Sequence, residues 1–311
     1  MDFHVCRMEF RSSDGKNNII SKIYMPAQTP KGVIQIVHGM CEHMGRYESF
    51  MKFFAENGYV VCGNDHLGHG ETVANKEDLG FFGTAQGYSK LLQDVHKLNL
   101  IMKKDYPDLP YFILGHSMGS FITRLYLAKY DDNLTGAIIS GTGGPNPMVK
   151  AGYKLACGAI RKRGERYRPK NIDKMVFGAY NTHFKGKNST SKDWLSSDPQ
   201  VVADFMADEY CMFTFTAAGF KDLFALHYLA NREDTVQRIP HQLPILLLSG
   251  EQDPVGAYGK GVHKVYSMFK KAGIENVTLQ LYPNGRHEML NEVNHAVVYE
   301  DILSWIKNGK I

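Results

Sequence analysis

The chain has 311 residues and a mass of 35.1 kDa, with 43% hydrophobic and 22% charged residues. That is ample material for a large core and excludes a disordered chain. A formal net charge of +4 and a sequence pI of about 8.6 are too weakly basic to indicate nucleic-acid binding without a concentrated patch.

A strand pair comes first: residues 3–11 and 19–25, around Ser13-Asp14-Gly15, read as an antiparallel hairpin at the edge of a sheet. From Val33 onward, short apolar runs alternate with longer helical patterns. Runs at 33–37, 59–62, 111–114 and 137–139 end on His38-Gly39, Gly63, Gly115 and Ser140-Gly141. Two later runs, 245–248 and 277–282, end on Ser249-Gly250 and Pro283-Asn284-Gly285. Runs that are apolar throughout mark strands covered on both faces, hence a mostly parallel sheet. Amphipathic segments at 47–57, 87–103, 121–130 and 262–272 supply helices between them, so the expected class is α/β.

The rhythm stops between about Pro145 and Pro240. A basic stretch (161–170), a polar loop (181–197) and an aromatic helical stretch (201–229) read as a helical insertion over the sheet. The expected organisation is a core of residues 1–144, a cap of residues 145–236, and the rest of the core at 237–311. No internal repeat is visible.

Cys6, Cys41, Cys62, Cys157 and Cys211 are odd in number and contain no C-x-x-C pair. They argue against a disulfide framework or zinc knuckle and suit a reducing cytoplasm. The opening Met1-Asp-Phe-His-Val-Cys6 lacks a leader pattern. Residues 210–220, the longest uncharged aromatic stretch, fall short of the roughly 20 apolar residues that cross a bilayer. A soluble protein is expected.

Gly115-His116-Ser117-Met118-Gly119 is a G-x-S-x-G pentapeptide. The string alone arises by chance roughly 0.2 times in such a chain, so its setting matters more: it follows a buried strand and opens a helix, the placement of a nucleophile elbow. The glycines keep side chains from colliding across a strained turn. The helix start offers N–H groups and its dipole to an oxyanion. The bland alternative is a strand–helix loop with Ser117 as N-cap.

A serine hydroxyl needs a base, and the base an orienting acid. Asp253 follows the run at 245–248 and His287 the run at 277–282, which completes the order Ser, Asp, His. Glu251 is the second candidate acid. Met118 N–H and Met40 N–H are the expected oxyanion donors. Gly39 would let backbone approach the substrate, while His38 reads as a structural hydrogen-bonding residue. Gly39, Cys41 and His116 are the expected substrate contacts.

Together, the segments His38-Gly-Met-Cys-Glu-His43-Met-Gly-Arg46-Tyr47, Asp65-His-Leu-Gly68-His69-Gly70-Glu-Thr72, Gly115 to Gly119, Asp253-Pro-Val and His287-Glu resemble the monoacylglycerol lipase and lysophospholipase branch of the α/β hydrolases. The resemblance spans nearly everything outside the insertion. It implies an eight-stranded sheet, a helical cap after strand six, and hydrolysis of single-chain lipid esters. It carries the triad onto Ser117, Asp253 and His287 and the oxyanion donors onto Met40 and Met118. Two departures stand out: Cys41 where many relatives have glycine, and Leu67 where broader hydrolases often have arginine.

Other chemistries find less support. Asp65, His66 and His69 fit a glycine-tight loop better than a metal site. His287-Glu-Met-Leu-Asn291 misses H-E-x-x-H at its last position, and no G-x-G-x-x-G follows the first parallel strand. Neither metal nor cofactor is expected. An aspartate nucleophile, as in dehalogenase or epoxide hydrolase chemistry, is replaced here by Ser117. The basic stretch reads equally well as a membrane contact or a solvated loop. Aromatic and Met residues at 205–228 read as core packing, some facing a cleft suited to an acyl chain. Two rivals remain. An aminopeptidase would aim cap carboxylates such as Asp208, Glu209 or Glu233 at a substrate ammonium, and a non-catalytic binding protein would share the fold.

Overall fold

The computed structural model describes residues 3–130, 133–184, 186 and 189–309. Met1 and Asp2 of the leader reading, and Lys185, Lys187 and Asn188 of the polar loop, lie outside them.

Eight strands, β1 (Phe3–Arg11), β2 (Asn18–Pro26), β3 (Gly32–Val37), β4 (Tyr59–Asn64), β5 (Tyr111–His116), β6 (Gly136–Ser140), β7 (Ile245–Gly250) and β8 (Val277–Tyr282), form one sheet in the order β1-β2-β4-β3-β5-β6-β7-β8. β1 and β2 are the expected hairpin, and β2 joins β4 antiparallel; all later pairings are parallel. β3 to β7 are buried along their whole length.

Side chains alternate between the two faces of a strand. Ile34, Ile36, Phe112, Leu114, Ile138, Leu246 and Leu248 pack under helices α1 (Glu48–Glu56) and α10 (His295–Asn308). Their neighbours Val37, Ile113, Ile139, Ile245 and Leu247 meet α2 (Gly87–Asp105), α3 (Met118–Leu127) and α9 (Lys260–Lys271). Both faces being covered is the reason these strands show no polar alternation.

Between β6 and β7 the described residues form helices α4 (Met148–Arg163), α5 (Lys170–Phe177), α6 (Pro199–Ala207), α7 (Ala217–Ala230) and α8 (Glu233–Val236), with no strand. The aromatic stretch expected as one helix over 201–229 is two. Asp208 stops α6 in extended backbone, and Thr216 caps α7 by accepting from Gly219 N–H at 3.1 Å. α7 packs on α4 and also on the core helices α2 and α3. Its C-terminal carbonyl end meets a buried guanidinium: Arg124 of α3 donates to Ala230 O at 2.7 Å and to Asn231 Oδ1 at 3.0 Å. That places a cation where the helix dipole is negative.

The basic stretch is divided in use. Arg168 donates to the carbonyls of Thr214, Glu77 (3.0 Å) and Leu79 (2.8 Å), and Arg166 pairs with Asp78 at 2.6 Å, so both fasten this segment to the core. Arg161, Lys162 and Arg163 are exposed at the end of α4.

Candidate active site

The parallel strands point their carboxyl ends one way, so the loops after β3, β5, β7 and β8 gather at one edge. After β5 the chain turns sharply into α3. Ser117 sits there at φ 53°, ψ −118°, a conformation that is costly for a residue with a Cβ and held only by its surroundings. The glycines make room for it. A Cβ on Gly119 would drive into the Val37 carbonyl, and one on Gly115 would lie 2.5 Å from Gly119 O. Ser117 N–H donates to Ser140 O at 3.0 Å, which ties the turn to β6.

His287 and Asp253 arrive from the last two strands. Nδ1 of His287 lies 3.1 Å from both carboxylate oxygens of Asp253. Val255 N–H (2.8 Å) and the Ser249 hydroxyl (3.1 Å) also donate to that carboxylate. Burial alone would raise the Asp253 pKa, but the imidazole and these hydrogen bonds outweigh it and hold the carboxyl below its ordinary value. For His287, burial pulls down while the Asp253 charge and hydrogen bond, then Glu288 and Glu42, push up, and the net shift is upward. With Nδ1 committed to Asp253, Nε2 is the ring nitrogen left for a hydroxyl. His287 and Ser117 line the same cavity, of about 340 Å³. Glu251, the second candidate acid, is exposed and engages β8 only through its backbone N–H.

Met40 and Met118 line this cavity too, and among the described residues neither backbone N–H donates to a protein acceptor. The Gly39 N–H is otherwise engaged: it donates to Glu42 Oε1. Gly39 therefore does not line the cavity. It acts as a spacer, since a Cβ there would stand 3.0 Å from the Ser117 Cβ and 2.5 Å from Glu42 Oε1.

Cys41 and His116 do line the cavity. Cys41 has φ 55°, which explains why glycine suits this position. Its thiol lies 3.2 Å from Phe213 O, and burial pushes its pKa up to about 12. The His116 ring is 4.7 Å from that of His287; burial and then the His287 charge lower its pKa to about 3, so it stays neutral.

His38 behaves as a structural residue: fully buried, it has Nδ1 2.8 Å from Gly39 O, while Nε2 accepts from His66 N–H at 3.0 Å. Asp65 accepts from Met44 and Glu71 N–H groups, both at 2.7 Å, which accounts for its place in the glycine-tight loop. Leu67 is buried in the core.

Sequence reasoning missed a buried ionic group in the loop after β3. Arg46 holds Glu288 in a two-pronged pair at 2.6 and 2.7 Å and reaches Glu42 at 3.4 Å. Tyr47 OH donates to Glu42 at 2.9 Å. Burial raises the Glu42 pKa to about 7, whereas the guanidinium overrides burial at Glu288 and lowers it. Trp194 was missed as well. Its carbonyl accepts from His287 N–H at 3.4 Å and its ring stands 5.1 Å from the imidazole. The sequence signal for the ionic group is the presence of Glu42, Arg46 and Glu288 in the segments quoted above; for Trp194 there is none.

The family model described as serine aminopeptidase, S33, matches residues 28–294. A monoacylglycerol lipase of Mycolicibacterium smegmatis is 29% identical over 94% of this chain and 94% of its own length. A monoglyceride lipase homolog of Monkeypox virus is 33% identical over 93% of this chain and 94% of its own. Among solved structures, a thermostable carboxyl esterase from Bacillus coagulans, in complex with glycerol, superposes with a TM-score of 0.91 at 33% identity, covering 97% of this chain and 98% of that one. An α/β-hydrolase sheet, a serine at the elbow and a family match over most of the sequence agree, and this chain belongs to the serine aminopeptidase, S33, family.

Proposed function

We propose that the protein is a serine ester hydrolase acting on monoacylglycerol, with Ser117, Asp253 and His287 as its triad. The observation that carries this reading is the His287–Asp253 pair, buried and doubly in contact, in one cavity with a serine held at positive φ.

His287 Nε2 takes the Ser117 proton as Oγ attacks the ester carbonyl, and Asp253 stabilises the imidazolium. The Met40 and Met118 amides hold the tetrahedral oxyanion. The imidazolium then protonates the departing alcohol, and water activated by His287 releases the fatty acid. The cavity suits the substrate. Phe121, Val149, Leu223 and Phe224 line one part of it, and each buried CH₂ of an acyl chain is worth about 0.8 kcal/mol.

Residues 145–236 serve as the cap. α4 exposes Met148, Tyr153 and Leu155 beside Lys150, Lys154 and Arg161 to Arg163, an apolar and basic face suited to a lipid surface that presents substrate. Among the described residues, no helix is long and apolar enough to cross a membrane. Cys6, Cys41, Cys62, Cys157 and Cys211 are free thiols, in keeping with a reducing cytoplasm.

The aminopeptidase reading would aim Asp208, Glu209 or Glu233 at the substrate ammonium. Asp208 is 2.8 Å from His43, Glu209 pairs with Lys76, and Glu233 pairs with Lys271; none of the three lines the cavity. Hydrolysis of 1-decanoylglycerol set against decanoyl- and aminoacyl-anilides tests the proposal. Glycerol ester cleavage that disappears in Ser117→Ala is expected. Preferential cleavage of the aminoacyl anilide overturns it.

A further inference from the structure

The cavity has two chemically different ends. Phe121, Val149, Leu223 and Phe224 make one apolar; Glu42, Asp173, Lys192 and Glu288 make the other charged. The charged end lies on the His287 side. Trp194 stands 5.1 Å from the His287 ring and 6.1 Å from Phe177, and the Lys192 ammonium is 5.7 Å from the Phe177 ring centre. In the reaction above, His287 protonates the leaving alcohol, so the alcohol occupies this end.

Glu42 and Glu288 are already bonded to Arg46. Asp173 and Lys192 are not so engaged. Among the described residues the Asp173 carboxylate accepts no hydrogen bond, and the Lys192 ammonium meets only the faces of Phe177 and Phe205, 5.5 Å away in the second case. Yet the Lys192 charge is felt at Asp173, where burial raises the pKa and the ammonium opposes it. The two stand as neighbours without closing an ion pair, a half-buried acceptor and donor with a gap between them.

We propose that Asp173 and Lys192 form a head-group subsite for a neutral polyol, resting on the ester-hydrolase reading above. One hydroxyl of the alcohol donates to the Asp173 carboxylate, and the oxygen of the next accepts from the Lys192 ammonium. Charge selects against other head groups. The Asp173 and Glu288 carboxylates repel a phosphate, and Lys192 repels a substrate ammonium. An uncharged diol satisfies both groups at once.

The test compares 1-decanoylglycerol, methyl decanoate and decanoyl lysophosphatidylcholine on the unaltered enzyme and on Asp173→Asn and Lys192→Met. In each variant the ratio of kcat/KM for the glycerol ester to that for the methyl ester is expected to fall about tenfold, chiefly through KM, in the range of a hydrogen bond to a charged group. Lys192→Arg, which keeps a donor, is expected to restore much of it. An unchanged ratio in both variants overturns the subsite, as does a loss confined to the lysophospholipid. Failure of the unaltered enzyme to hydrolyse any of the three overturns the ester-hydrolase reading itself, a result distinct from an unchanged ratio.

Discussion

At the scale of single residues, the site depends on which charges are buried and what faces them. The Asp253 carboxylate favours protonated His287, while the first step needs that ring neutral. The acid limb of kcat/KM is therefore expected to have its midpoint above the ordinary histidine value of 6.5. Asp253→Asn should move that limb down and lower kcat on the order of 10⁴-fold, since the tautomer is no longer fixed. A pH profile of both enzymes measures the two effects together, and an unmoved limb would show that Asp253 does not govern the imidazole. In the loop after β3, Arg46 bonds two buried carboxylates. Arg46→Met leaves them unpaired and should cost about 3–5 kcal/mol of stability near neutral pH. The sign of its pH dependence follows. Without the guanidinium, Glu42 and Glu288 bind protons more readily folded than unfolded, so the deficit shrinks as pH falls. Urea unfolding at pH 5 and pH 8 separates this from a pH-independent packing loss.

At the scale of elements, the elbow and the Arg124 latch on the end of α7 do the positioning. Gly119 lies against the Val37 carbonyl, so Gly119→Ala must push α3 off β3. It should destabilise the fold by about 1–3 kcal/mol and abolish turnover even where the chain still folds. Circular dichroism with an ester assay reads both. The elbow was legible in the sequence because the chemistry of its turn demands particular residues at fixed offsets. The latch was not. Arg124 and Ala230 are 106 positions apart, and nothing local marks a buried arginine as the terminator of another helix. The split between α6 and α7 escaped for a related reason. The segment around Asp208 to Thr216 is apolar and aromatic, so periodicity alone runs through a break that is set by Asp208 bonding His43 and by the Thr216 cap.

At the scale of the whole molecule, the strands and their parallel class were readable from residues 33–37 through 277–282, since each buried strand announces itself as an apolar run ending in glycine or a polar turn; their order in the sheet was not. The gathering of Ser117, Asp253 and His287 at one edge of the sheet was readable because each follows such a run. The engagement of the Gly39 N–H was not readable, since the Glu42 carboxylate that takes it is visible only in three dimensions. The division of the basic stretch is likewise visible only in three dimensions: Arg166 and Arg168 bond core residues, while Arg161 to Arg163 are exposed at the end of α4. Replacing Arg161, Lys162 and Arg163 by Gln should weaken binding to vesicles rich in anionic lipid while sparing hydrolysis of a dispersed short-chain ester. Vesicle cosedimentation at low and high salt checks it, and the loss should be greatest at low salt.

The central claim, that Ser117 is activated by His287 and Asp253 beneath the residues between β6 and β7, is tested most directly by a fluorophosphonate probe followed by peptide mapping. The account predicts a single modified residue, Ser117, labelled rapidly in the unaltered enzyme and orders of magnitude more slowly in His287→Ala. Labelling at another serine, or at the same rate in both proteins, would contradict it.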